Sequence, residues 1–156
     1  VGRTRLRLGV TLVAALGLVV AGTLTGGGDG AAALLAAMLV GSVLVHEGAH
    51  ALAARALGYR VEWIVLGIVD GRISYSGPAD RPLDRAAIAM AGPAVSAAVA
   101  LGLLGAWAGG VGGPGDVVFH AVVFNVLTFA VNLVPIAGSD GQMVVAGLIE
   151  DRRRRG

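Results

Sequence analysis

The stretch VLVHEGAHALAARAL, residues 43–57, decides the reading of this chain. Two histidines and a glutamate, His46, His50 and Glu47, sit inside a run that is otherwise almost entirely apolar. On a helix, positions i and i+4 share a face, so His46 and His50 can present imidazole nitrogens to one metal ion. Glu47 follows the first histidine by one position, about 100° around the helix. From there it reaches a water on the metal without being a ligand itself.

The run is apolar because the chain is. Hydrophobic residues make up 56% of the 156, charged residues only 14%, and the mean hydropathy is +0.80. A soluble domain of this size is usually no more than about half apolar, so the expectation is a membrane protein. The length allows one domain, residues 1–156. Cysteine is absent, which excludes a disulfide framework, thiolate ligands and a cysteine nucleophile. A pI near 9.9 could suggest nucleic acid, but the arginines flank apolar runs and no basic patch is interleaved with aromatics, so no nucleic-acid partner is expected.

Four apolar stretches, approximately 8–24, 31–57, 86–108 and 117–136, are each near the roughly 20 residues a helix needs to cross a bilayer. Glycine-rich linkers, TGGGDG at 25–30 and GGVGGPGD at 109–116, join the first to the second and the third to the fourth. All twelve basic residues are arginines. Arg3, Arg5 and Arg7 precede the first span. Arg55, Arg60, Arg72, Arg81 and Arg85 lie at or between the ends of spans two and three, and Arg152–Arg155 close the chain. Four spans put all three groups on one side, the cytoplasmic side by the positive-inside rule, with both termini there. The alternative for residues 1–24 is a cleaved signal peptide, which would leave three spans.

Residues 59–77 have a different character. YRVEWIVLGIV is rich in β-branched and aromatic residues, RISYS follows, and Asp70-Gly71 between them is a hairpin turn signal. The fold class is therefore an all-α membrane protein of about four spans, with a short β-hairpin on the cytoplasmic side between the second and third.

An acid and two histidines within a span cost several kcal/mol unless paired or coordinated, so they are functional by default. The HExxH arrangement, here HEGAH, is typical of zinc hydrolases. One zinc ion per chain would lower the pKa of its water toward about 7, and Glu47 would take up the proton and pass it on. A catalytic zinc keeps three protein ligands. The candidates for the third are Asp140, His120, Asp116 and Asp29. His46 lies about 14 Å from the arginine end of its helix, and Asp140, twelve residues before Arg152, reaches a similar depth on a helical tail. His120 begins the fourth span some 20 Å away on the same rise per residue, and Asp29 and Asp116 stand at the outer loops. Depth selects Asp140.

HEGAH in a span, followed by Ala91-Gly92-Pro93 and then NLVPIAGSDG at 132–141, resembles the site-2 protease family of intramembrane zinc metalloproteases. The second family motif, Asn-x-x-Pro-x-x-x-x-Asp-Gly, is met by Asn132, Pro135, Asp140 and Gly141. The resemblance covers roughly residues 31–149. It implies His46, His50 and Asp140 as zinc ligands, Glu47 as catalytic acid and base, and Asn132 as a catalytic donor to the oxyanion. Its implied partner is the transmembrane helix of a single-span substrate, cut within the bilayer of a bacterial cell membrane. An unwound substrate could add to the edge of the hairpin at 61–69 or 72–77. Pro135 would break the fourth helix ahead of Asp140, and Asn125 would tie helices together. Departures from the family pattern stand at Ser96, Ser139 and Gln142. No inserted PDZ-like domain or CBS-like extension occurs in these residues, which reads as a minimal core. Two other functions compete: a metal-binding but non-proteolytic membrane scaffold, which has no need of Glu47, and a metal-ion transporter, for which the outer halves of the spans offer only His120 and Asp116.

Overall fold

The computed structural model describes residues 4–26, 30–67, 71–77, 81–113 and 116–156. Asp29 and Asp70 fall outside them, as do Arg3, Ile68, Val69 and residues 78–80. The elements in order are β1 (Arg5–Leu8), α1 (Val10–Gly26), α2 (Gly30–Ala56), β2 (Arg60–Leu66), β3 (Arg72–Ser76), α3 (Pro82–Ala108), α4 (Val117–Leu133) and α5 (Asp140–Arg155).

The molecule is mostly helical, with one three-stranded sheet in the order β1-β2-β3. β2 and β3 pair antiparallel, Arg60 opposite Ser76 and Val65 opposite Arg72, with a bulge between Val61 and Trp63. The third strand departs from the sequence expectation. Arg5–Leu8 pairs parallel with β2, Arg5 beside Trp63 and Leu8 beside Leu66. Its Arg-Leu-Arg-Leu alternation is the period-2 pattern of a strand, yet it merges into the apolar run behind it. The first helix accordingly starts at Val10 and not at residue 8. α3 starts earlier than residue 86, at Pro82, because extended Arg81 leads into a proline at the helix start, where the missing N–H costs no hydrogen bond.

α2 ends in a left-handed glycine. Gly58 has φ of 86°, its N–H bonds Arg55 O, and the Tyr59 N–H bonds Ala54 O. This Schellman closure reverses the chain and sends β2 back along α2. Two buried clusters record the path. Val61 and Tyr59 pack with Ala51, Ala54 and Ile88, while Leu66 packs with Val43 and Leu12. The hairpin therefore runs from the arginine-bearing end of α2 to the depth of the HEGAH motif.

α2 and α3 contain stretches long and apolar enough to cross a membrane, Ala36–Ala56 and Pro82–Ala108, and α4 is a shorter apolar helix. The distribution of polarity supports a lipid surround. Leu44, Val45, Leu52, Leu101 and Leu127 are exposed, whereas His46, Glu47, His50, Ser96 and Asn125 are buried. Asn125 Nδ2 donates to Ser42 Oγ on α2 at 2.9 Å, a polar tie between two apolar helices of the kind bundles use in place of hydrophobic drive.

α4 stops at Leu133, short of residue 136, and Pro135 lies in the break before α5. α5 then lies against α3. A methyl on Gly147 would collide with Pro82 O and fall 3.0 Å from Ala86 Cβ. Arg85 on α3 pairs with Glu150 on α5, which also pairs with Arg154.

Candidate metal centre

Two elements deliver the donors. α2 supplies His46 and His50 from consecutive turns, and their Nε2 atoms stand 3.2 Å apart. Asp140, the first residue of α5, brings Oδ2 to 3.3 Å from His46 Nε2 and 3.4 Å from His50 Nε2. Among the described residues, these three form the group of side chains able to hold a metal ion. Atoms bound about 2.0–2.1 Å from a tetrahedral zinc stand about 3.3–3.4 Å from one another. The observed edges of 3.2, 3.3 and 3.4 Å lie close to that spacing, so the donor set fits zinc in size as well as in chemistry.

The far sides of the imidazoles are fixed too. His50 Nδ1 lies 2.7 Å from the carbonyl oxygen of Ile88. A carbonyl only accepts, so Nδ1 donates and a neutral ring keeps its lone pair on Nε2, facing the other donors. His46 Nδ1 lies 2.9 Å from Ser96 Oγ, a hydroxyl that can accept in the same way. Ile88, Gly92 and Ser96 are spaced by four and form one stripe of α3 against the motif. Between the two hydrogen-bonding residues, Gly92 leaves room for the rings. A methyl there would fall 2.6 Å from His50 Cε1 and 2.7 Å from His46 Nε2. Ser96 read as a departure in the sequence; it orients a histidine, as second partners of metal-bound imidazoles do.

Asp140 depends on the broken segment before it. Gly138 takes φ of 88°. Ser139 caps α5, accepting from the Gln142 N–H at 3.1 Å, and its hydroxyl lies 2.6 Å from Val134 O and 2.8 Å from Ile136 O. Gln142 answers by accepting from the Gly138 N–H at 2.8 Å. Ser139 and Gln142 thus make a reciprocal cap in the Ser-x-x-Gln spacing, a signal present in the sequence and passed over there as two departures. Gly141 is required by close approach, since a methyl would meet Leu133 O and sit 2.6 Å from its carbonyl carbon.

Glu47 is buried beside the donors. It lines a small cavity with Val43, His46, Phe124, Thr128, Asn132 and Asp140. Asn132 is thus at the site, with Nδ2 donating to Thr128 O on its own helix at 3.0 Å. A second, larger groove of about 510 Å³ runs from Glu47, His50 and Asp140 past Arg72, Ile73 and Tyr75 of β3. The structure leaves two candidates of the sequence elsewhere. His120 is exposed and its Nδ1 lies 2.6 Å from Asp116 O. Asp116 caps α4, and the Phe119 N–H it accepts holds its carboxyl below the usual carboxylate range.

No protein-family model matches the chain. Over 115 residues, 70% of this chain and 29% of the relative, it is 38% identical to a protein of Mycobacterium tuberculosis that carries the provisional name zinc metalloprotease Rip3. Over 70 residues, 45% of this chain and 18% of the relative, it is 40% identical to a Synechocystis protein with the provisional name zinc metalloprotease sll0528. The chain spans less than a third of the length of either. Its fold matches that of the site-2 protease from Methanocaldococcus jannaschii with a TM-score of 0.75 at 20% identity, over 94% of this chain and 68% of that one. Two histidines and an aspartate that fit zinc, relatives named as zinc metalloproteases and the fold of a site-2 protease point the same way: the chain is similar in sequence to zinc metalloproteases and shares its fold with a site-2 protease.

Proposed function

We propose that this chain is the core of an intramembrane zinc endopeptidase that cuts the transmembrane helix of a single-span, membrane-tethered protein. The observation that carries the reading is the juxtaposition of a zinc-sized donor triangle with a buried Glu47, inside a bundle whose outer surface is apolar. A zinc ion held by His46, His50 and Asp140 supplies Lewis acidity, which polarises a scissile carbonyl and makes water a nucleophile near neutral pH.

The chain's own residues do the rest. Glu47 accepts the proton of the attacking water at its carboxylate and returns it to the departing amine. Asn132, on the wall of the same cavity, turns its amide from Thr128 O toward the developing oxyanion. Burial of the carboxylate and imidazoles in a largely apolar bundle strengthens each of these interactions. The substrate has to arrive unwound, because a helix hides its peptide bonds, and β3 beside the larger groove offers a strand edge to receive it. In the membrane, α1 to α4 cross the bilayer of a bacterial cell, with the arginine groups, the sheet and both termini on the cytoplasmic side.

The test uses the full chain in detergent, wild type and Glu47→Ala, assayed for zinc and against a panel of single-span peptides. Both are expected to hold about one zinc, and only the wild type to cut. A wild type without zinc, or a Glu47→Ala variant that cuts at the wild-type rate, overturns the reading.

A further inference from the structure

The hairpin does more than border the groove. Because β2 returns along α2 to the level of Val43, Gly67 after β2 and Gly71 before β3 arrive beside Glu47. The contact is close at Gly71. A methyl on its Cα would land on Glu47 Oε1, 2.8 Å from Glu47 Cδ and 2.8 Å from Gly67 O. Gly71 also lines both the small cavity and the larger groove. Glu47 therefore sits against bare backbone at the junction of the two.

We propose that Gly71 is a positioning residue for Glu47. With no side chain there, the backbone at Gly71 packs against the carboxylate and fixes its direction toward the metal donors. With a methyl, the carboxylate must swing away. Gly92 performs the matching service for the imidazoles from α3, so two glycines from separate elements shape the motif: one sets the ligands, the other the base. The inference rests on the metalloprotease reading above, since a carboxylate that moved no proton would have no direction to keep.

The test compares wild type, G71A, E47A, E47D and the G71A/E47D double variant, all as full chains in the same detergent. Three readings are taken: metal content, the visible spectrum after cobalt substitution, and kcat and KM on a cleaved peptide. G71A is expected to keep about one metal ion and to shift its cobalt spectrum toward that of E47A. Its kcat should fall about 10–100-fold, the scale of a small misplacement of a reacting group. KM should stay near wild type, the pattern of an interaction used in the transition state alone. The shorter carboxylate of E47D should make room for the methyl, so E47D is expected to cost less in the G71A background than alone. If G71A loses its metal or misfolds, restoration by E47D still supports the clash with Glu47, and failure to restore overturns it. A wild-type spectrum and kcat in G71A, or a raised KM with unchanged kcat, also overturns it. The cobalt comparison needs no cleavage, so it decides the role of Gly71 even where the wild type cuts nothing and the protease reading itself fails.

Discussion

The two segments that deliver metal donors are built on opposite plans. α2 carries His46 and His50 through the site without interruption, and the regular turn of the helix is enough to bring both imidazoles to one face. Asp140 arrives at the end of a break. Pro135 stops α4, Gly138 takes a left-handed turn, and a Ser139–Gln142 cap opens α5. One plan uses local geometry alone. The other needs a sequence of local devices plus a tight seat on α3 through Gly147. The helical side of the site is robust, and the broken side is held by small parts.

Deleting a donor from either plan should have the largest effect. His50→Ala and Asp140→Ala are both expected to abolish stoichiometric zinc, read by metal analysis of the purified protein. Retention of a full equivalent by either would show that the donor triangle is misassigned. Ser96→Ala probes the support behind the continuous helix. It removes the hydroxyl behind His46 and should weaken zinc binding by about 10–100-fold, the usual effect of removing a ligand's second partner. Chelator competition measures this, and an unchanged affinity would mean that the ring is held by packing alone. The smallest effect belongs to the cap on the broken side. Ser139→Ala should destabilise α5 by about 1 kcal/mol, seen as a lowered melting temperature that added zinc partly restores. If melting is unchanged, the break is held by Gly147 and the ion pairs and the cap adds little.

The same contrast explains what the sequence showed and what it hid. His46, Glu47 and His50 were legible because their relation is a spacing on one helix. Asp140 was legible by depth, since only a tail returning to the level of His46 could supply an oxygen donor. Ser96, Ser139 and Gln142 read as departures because their roles are contacts across elements or across a turn. β1 was hidden by its neighbours: four alternating residues in front of a 17-residue apolar helix look like the flank of a span. Gly71 and Gly92 were legible only as parts of a turn and a motif, and Gly147 not at all, as a glycine among 26 does not announce what lies beside it.

β3 has a consequence for how a substrate would be held. It is the last strand of the described sheet, and Arg72, Ile73 and Tyr75 line the groove. In hydrocarbon an unpaired backbone group costs several kcal/mol, so any group on that edge without a protein partner would need water. A helix drawn from the lipid brings backbone groups that are already paired with one another. To lie along β3 it would trade its internal hydrogen bonds for shared ones while the groove gives up its water. On the proposed reading, unwinding and recognition are then a single exchange of hydrogen-bond partners, and the hydration of one strand edge governs how readily a helix opens.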